Sequence, residues 1–154
     1  MMSICFTEIP LAPWPVLQEG VHKLSLKEFQ EVFVFNPHRR KQFIGLVNAM
    51  KALKQAGCSK VYIDGSYVTK KPLPGDYDAC WDVTNVNPDK LDAVFLDFTN
   101  KRASQKAKYE GEFFPAHIFA DGKQTPYIEF FQIEKHSGEK KGIVLIELSD
   151  ELDS

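Results

Sequence analysis

Between positions 37 and about 56, Phe43, Leu46, Val47, Met50 and Leu53 recur at three- and four-residue spacings. This spacing predicts an amphipathic helix, opened by Asn36-Pro37 and ended by Gly57. Its charged positions Arg39, Arg40, Lys41, Lys51 and Lys54 are expected in water. A shorter helix precedes it: Ser25-Leu26-Lys27-Glu28 has the form of a capping box, and the pattern continues to about Val34. The run Lys-Val-Tyr-Ile-Asp at 60–64 reads as a strand punctuated by Gly65. From 76 to 83, Asp76, Asp78, Cys80 and Asp82 alternate with Tyr77, Ala79, Trp81 and Val83, a second strand that sends its two leading carboxylates to one face. Asn87-Pro88 opens a further helix to about Phe98, with Leu91, Val94, Phe95 and Phe98 on one side. A polar segment at 101–108 follows. The stretch 115–120 reads as a strand ending at Asp121-Gly122, and 142–148 as another. The run 127–133 fits either a strand or a buried helix, and the acidic tail 147–153 reads as solvated. The pattern predicts an α/β (α+β) fold, a mixed β-sheet with helices packed on it, as a single domain over 1–154. An N-terminal arm of about 24 residues, spaced by Pro10, Pro13 and Pro15, should run extended over the surface with Trp14 packed on the core.

The 154 residues fit one hydrophobic core. A net charge of −2 gives no global attraction to nucleic acid, so a polyanion must meet a local patch. Lys101, Arg102, Lys106 and Lys108, with no acid among them, are the best such patch for a triphosphate or RNA. Cys5, Cys58 and Cys80 have no metal-ligand spacing and do not form a disulfide framework; buried free thiols are the expectation. The prolines break up any apolar helix near the N-terminus, so neither signal peptide nor membrane span is read there. A cytoplasmic location is expected.

The chemistry concentrates in Gly65-Ser66 and, after nine residues, Asp76-Tyr77-Asp78. Two carboxylates on one strand face can converge on Mg²⁺ or Mn²⁺, which neutralises the charge that develops in phosphoryl transfer. Gly65 lets phosphates approach the backbone, Ser66 and neighbouring N–H groups can donate to them, and Lys70 and Lys71 add positive charge. The loop 67–75 is expected to order when nucleotide binds. Here the chain resembles the nucleotidyltransferase superfamily that includes DNA polymerase beta, whose signature is a hydrophobic strand, Gly-Ser or Gly-Gly, and then Asp-x-Asp. Downstream segments around Phe113-Phe114-Pro115, Pro126 to Gln132 and Lys140 to Val144 are similar to a little-characterised bacterial branch of such proteins.

The resemblance implies a minimal, metal-dependent nucleotidyltransferase. It would move a nucleoside monophosphate from a nucleoside triphosphate to a hydroxyl on RNA, a protein or a small molecule, with Asp76 and Asp78 as metal ligands. It also implies a third carboxylate on a later strand, for which Asp121 at a strand end is favoured over Glu129, with His117 as a third choice. Minimal members often serve in toxin–antitoxin or defence pairs, which adds a small protein partner. The competing reading is a catalytically silent binding module of the same fold, distinguished by the lack of a third carboxylate near Asp76 and Asp78.

Overall fold

The computed structural model describes residues 5–9, 11–118, 125–134 and 136–151. Two short strands, β1 (Phe6–Thr7) and β2 (Val16–Leu17), pair antiparallel. Strand β3 (Gly20–Lys23) follows, then helices α1 (Leu26–Phe33) and α2 (Pro37–Gln55), strand β4 (Lys60–Asp64) and a 3₁₀ turn at Gly65–Val68. Strand β5 (Tyr77–Trp81) leads through 3₁₀ turns at Pro88–Lys90 and Ala93–Leu96 into α3 (Thr99–Tyr109) and β6 (Gly111–Pro115). Helix α4 (Tyr127–Phe130), strand β7 (Gly142–Glu147) and helix α5 (Leu148–Glu151) complete the described chain. The main sheet has the order β3-β7-β4-β5-β6. Its central pairs β7–β4 and β4–β5 are antiparallel, and its outer pairs β3–β7 and β5–β6 are parallel. This is the mixed α+β architecture that the pattern predicts.

Alternation along the strands divides the residues between two faces. Val61, Ile63, Tyr77, Ala79, Trp81, Phe113, Val144 and Ile146 join Leu46, Ala49, Met50 and Leu53 of α2 in the main core. The opposite face carries Tyr62, Cys80, Phe114 and Ile143, covered in part by Tyr127, Ile128 and Phe131 from the α4 segment. The helix starts are as read. Ser25 Oγ accepts from the Glu28 amide at 3.1 Å while Glu28 Oε1 accepts from the Ser25 amide at 2.9 Å. Asn36 Oδ1 accepts from the Arg39 amide at 2.8 Å with Pro37 in the first helical turn, and Gly57 follows the helix with φ +103°.

Several expectations are corrected. The arm is not an extended strap: β1 and β2 pair, Val16 and Leu17 are buried, and β3 joins the main sheet beside β7, while Trp14 is partly exposed. The helix read from 87 to 98 is replaced by two 3₁₀ turns. The Asp92 carboxylate accepts from the Val94 amide and that of Asp97 from the Thr99 amide, so local side-chain bonds replace the helical ladder. The helix lies instead at α3, in the polar segment, where Gln105 does the anchoring: its Nε2 donates to Phe95 O at 3.3 Å and its Oε1 accepts from the Phe113 amide at 2.8 Å. Strand β6 begins at Gly111 rather than at 115. Finally, Arg39 is not solvated but 0 % exposed. Of the thiols, Cys58 and Cys80 are buried as expected, whereas Cys5 is exposed. No helix among the described residues is long and apolar enough to cross a membrane.

Candidate metal centre

Antiparallel pairing sets Asp64, the last residue of β4, opposite Asp78 of β5. Parallel pairing sets Asp78 beside Glu112 of β6. All three lie on the sheet face away from the α2 core, at one end of the strands, with Asp76 immediately before β5. Carboxylate oxygens of Asp76, Asp78 and Glu112 lie within 4.8 Å of one another, a spacing suited to one cation. The two aspartates are the pair expected from sequence. Glu112 is the third member; it was not expected, and its signal was a lone acid between Gly111 and Phe113-Phe114, on a strand that a crossover of about thirty residues returns parallel to β5.

The cluster is electrostatically unbalanced. Asp64 is 0 % exposed, its Oδ1 has no hydrogen-bond partner among the described residues, and its Oδ2 accepts only a long contact from Cys80 Sγ at 3.8 Å. Burial, then the Asp78 charge, raise its pKa well above the carboxylate range. Burial, then a hydrogen bond and charge repulsion from Glu112, raise Asp78 as well. Burial and Glu112 raise Asp76, against the pull of Lys106, Arg102 and Lys71. Glu112 goes the other way. Burial would raise it, but hydrogen bonds from Asp78, Arg102 and Lys106 outweigh this and hold its pKa low. The opposite directions favour a neutral Asp78 beside a charged Glu112. Arg102 Nε at 3.0 Å and Lys106 Nζ at 3.2 Å both reach Glu112 Oε1. Arg102 closes a left-handed turn through Asn100, Lys101 and Arg102, a conformation costly for residues with side chains. Its guanidinium also sits 5.1 Å from the Phe114 ring centroid.

These donors fit a hard divalent cation: they are all carboxylate oxygens, converge within 4.8 Å, and crowd negative charge that a cation would relieve. Gly65 is built for the same neighbourhood. It has φ +77°, and a Cβ on it would overlap Asp78 Oδ2. Gly65→Ala should therefore cost about 1–3 kcal/mol in backbone strain, and it should lower divalent-cation affinity by pushing the Asp78 carboxylate aside. Calorimetric unfolding and Mn²⁺ titration would measure both; unchanged Mn²⁺ affinity would dissociate Gly65 from the centre.

The remaining expected site residues are scattered. Ser66 is the second residue of the turn, and its carbonyl accepts from Thr69 Oγ1 at 2.6 Å. Lys71 lies close enough to lower the pKa of Asp76, but Lys70 Nζ sits 4.3 Å over the Phe6 ring centroid, engaged with the β1 segment. Asp121, the favoured third carboxylate, lies outside the described residues. Glu129 is exposed on α4, and His117, 51 % exposed at its side chain, is 3.9 Å from Asp82 rather than at the cluster. Of the basic segment, Arg102 and Lys106 face Glu112 and Lys108 pairs with Asp92 at 2.6 Å.

Neither a curated protein nor a solved structure matches the chain significantly. Residues 10–147 match the family described as "Family of unknown function (DUF6932)", and the chain belongs to that family.

Proposed function

We propose that this protein is a metal-dependent nucleotidyltransferase that transfers a nucleoside monophosphate from a nucleoside triphosphate to a hydroxyl acceptor. The observation that carries the reading is the convergence of Asp76, Asp78 and Glu112 next to the Gly65-Ser66 turn. This constellation supplies the third carboxylate whose lack would have favoured a silent binding module. Asp76, Asp78 and Glu112 would hold Mg²⁺ or Mn²⁺, which when bound would neutralise phosphate charge and acidify the attacking hydroxyl. Gly65 leaves room beside Asp78, and Ser66 with neighbouring amides offers donors to phosphate oxygens. Arg102 and Lys106, now engaged with Glu112, stand at the rim where a triphosphate would be bound, and Lys71 adds charge beside Asp76. RNA, a protein or a small molecule would serve as acceptor, and a small antitoxin-like protein as partner.

The test is incubation with α-labelled nucleoside triphosphates and Mg²⁺ or Mn²⁺, with RNA, protein and the enzyme itself offered as acceptors. Metal-dependent label transfer with pyrophosphate release supports the reading. Label transfer undiminished in EDTA, or none with any nucleotide and acceptor, counts against it.

The raised carboxyls also predict a pH signature. A carboxyl whose folded-state pKa exceeds its unfolded value binds extra protons when folded, so it destabilises the fold as pH rises from about 4 through the raised value. Asp64, Asp76 and Asp78 act in this sense. Glu112, with its pKa lowered, acts oppositely, and its contribution is complete once pH passes the ordinary carboxylate value. The metal-free melting temperature should therefore decline above about pH 4.5, and Mg²⁺ should reverse the decline with release of protons. Titration calorimetry in buffers of different ionisation enthalpy would measure that release; a buffer-independent heat would contradict it.

A further inference from the structure

Among the described residues, the buried Arg39 has no carboxylate partner of the kind such a cation usually keeps. Instead all five of its N–H donors meet main-chain carbonyls: Nε donates to Lys71 O at 3.2 Å, Nη1 to Phe33 O at 2.9 Å and Tyr67 O at 2.7 Å, and Nη2 to Thr69 O at 3.0 Å and Lys71 O at 2.6 Å. Two aromatic rings also lie against it. The guanidinium carbon lies 4.3 Å from the Phe35 ring centroid and 4.8 Å from that of Tyr67. The contact is reciprocal, since Tyr67 Oη donates to Arg39 O at 2.7 Å. Burial lowers the Arg39 pKa to about 10, which leaves it charged near neutrality. Neighbours on α2 and its cap extend the grip along the same loop. Asn36 Nδ2 donates to Pro72 O at 2.7 Å, while His38 Nε2 at 2.6 Å and Gln42 Nε2 at 2.8 Å both reach Pro74 O.

The start of α2 thus holds the carbonyls of residues 67, 69, 71, 72 and 74, nearly every second residue of the segment that joins Gly65-Ser66 to Asp76. An apolar side chain of equal bulk would fill the same volume but leave these carbonyls unpaired, and a lysine has too few donors, in the wrong geometry, to replace the planar fork. We infer that Arg39 is a positioning residue for the metal centre: it fixes the path of residues 67–75 and thereby the separation between the Gly65-Ser66 turn and the Asp76 carboxylate. The inference rests on the proposed metal centre and deepens it. It also replaces the expectation that this loop orders only on nucleotide binding, because the fold already holds it from beneath.

The test compares the full chain with Arg39→Lys and, as a gentler probe that keeps the guanidinium, Gln42→Met. Mn²⁺ affinity is measured by electron paramagnetic resonance well below the unfolding temperature, together with hydrogen exchange of the 67–75 amides without metal. Arg39→Lys should weaken Mn²⁺ binding about tenfold or more and speed exchange in 67–75, while exchange in β4 and β7 stays unchanged. Gln42→Met should do the same to a smaller degree, confined to the neighbourhood of Pro74 and Asp76. A residue that only supports the fold would lower the melting temperature of both variants and leave the Mn²⁺ affinity of the folded protein as it was; that result overturns the inference and leaves the metal centre standing. Should Arg39→Lys not fold, unchanged Mn²⁺ affinity and loop exchange in Gln42→Met overturn it equally. Failure of the unsubstituted protein to bind Mn²⁺ removes both the centre and the role assigned to Arg39.

Discussion

Asp78→Asn should abolish divalent-cation binding and nucleotide transfer while leaving the metal-free fold at least as stable as before. Asp78 stands between two other acids, opposite Asp64 across the antiparallel pair and beside Glu112 across the parallel one. Like charges directly opposite in a sheet are destabilising, and burial together with Glu112 pushes Asp78 toward its neutral form. Asparagine reproduces that neutral form: its Nδ2 can donate to Glu112, and it carries no charge to repel Asp64. What it cannot do is give up a proton to make room for a cation. The loss of metal affinity should exceed the roughly 10–100-fold that a supporting residue costs. The melting temperature without metal should hold steady or rise, most visibly at high pH where the native cluster is most strained. Adding Asp76→Asn should leave this picture unchanged. A cooperative transition lost in either variant would mean that the aspartates hold the sheet together rather than serve a ligand.

The parts legible in sequence were those written in apolar spacing. The stripe along α2, the capping box before α1, the strands β4, β5 and β7, and the Asp76–Asp78 pair all follow from residues whose partners lie within a few positions. What escaped was held by polar contacts across long separations. Helix α3 buries Gln105 and Tyr109 and presents almost no apolar stripe, so periodicity has little to register; it is fixed by hydrogen bonds of the Gln105 side chain to the Phe95 carbonyl and from the Phe113 amide. Arg39 sits in a run of cations at a helix start and reads as solvated, because the carbonyls that bury it come from residues about thirty positions away. Glu112 was missed for the same reason. Its role depends on β6 lying parallel to β5, which only the crossover through α3 determines. Asp64 ends an apolar strand next to Gly65, and its significance appears only with the register that faces it to Asp78.

Glu112→Gln should have an effect of comparable size on the metal and the opposite effect on stability. Glu112 is the one acid of the triad whose pKa is held low, because it collects hydrogen bonds from Asp78, Arg102 and Lys106. Neutralising it leaves two partly buried cations without their anion and loosens the bond between α3 and β6. The side chains retain some solvent access, so the cost should be about 1 kcal/mol rather than that of a fully buried pair. Mn²⁺ affinity should collapse as it does for Asp78→Asn, since a ligand oxygen loses its charge. Asp121→Asn and Glu129→Gln form the comparison. Glu129 is exposed on α4, and its substitution should leave Mn²⁺ binding and transfer unchanged. Asp121→Asn should leave Mn²⁺ affinity near that of the unsubstituted protein, because the three-oxygen cluster is complete without it. The reverse pattern, with binding lost in Asp121→Asn and retained in Glu112→Gln, would remove Glu112 from the centre. Its contacts with Arg102 and Lys106 would then be a structural clamp between α3 and β6.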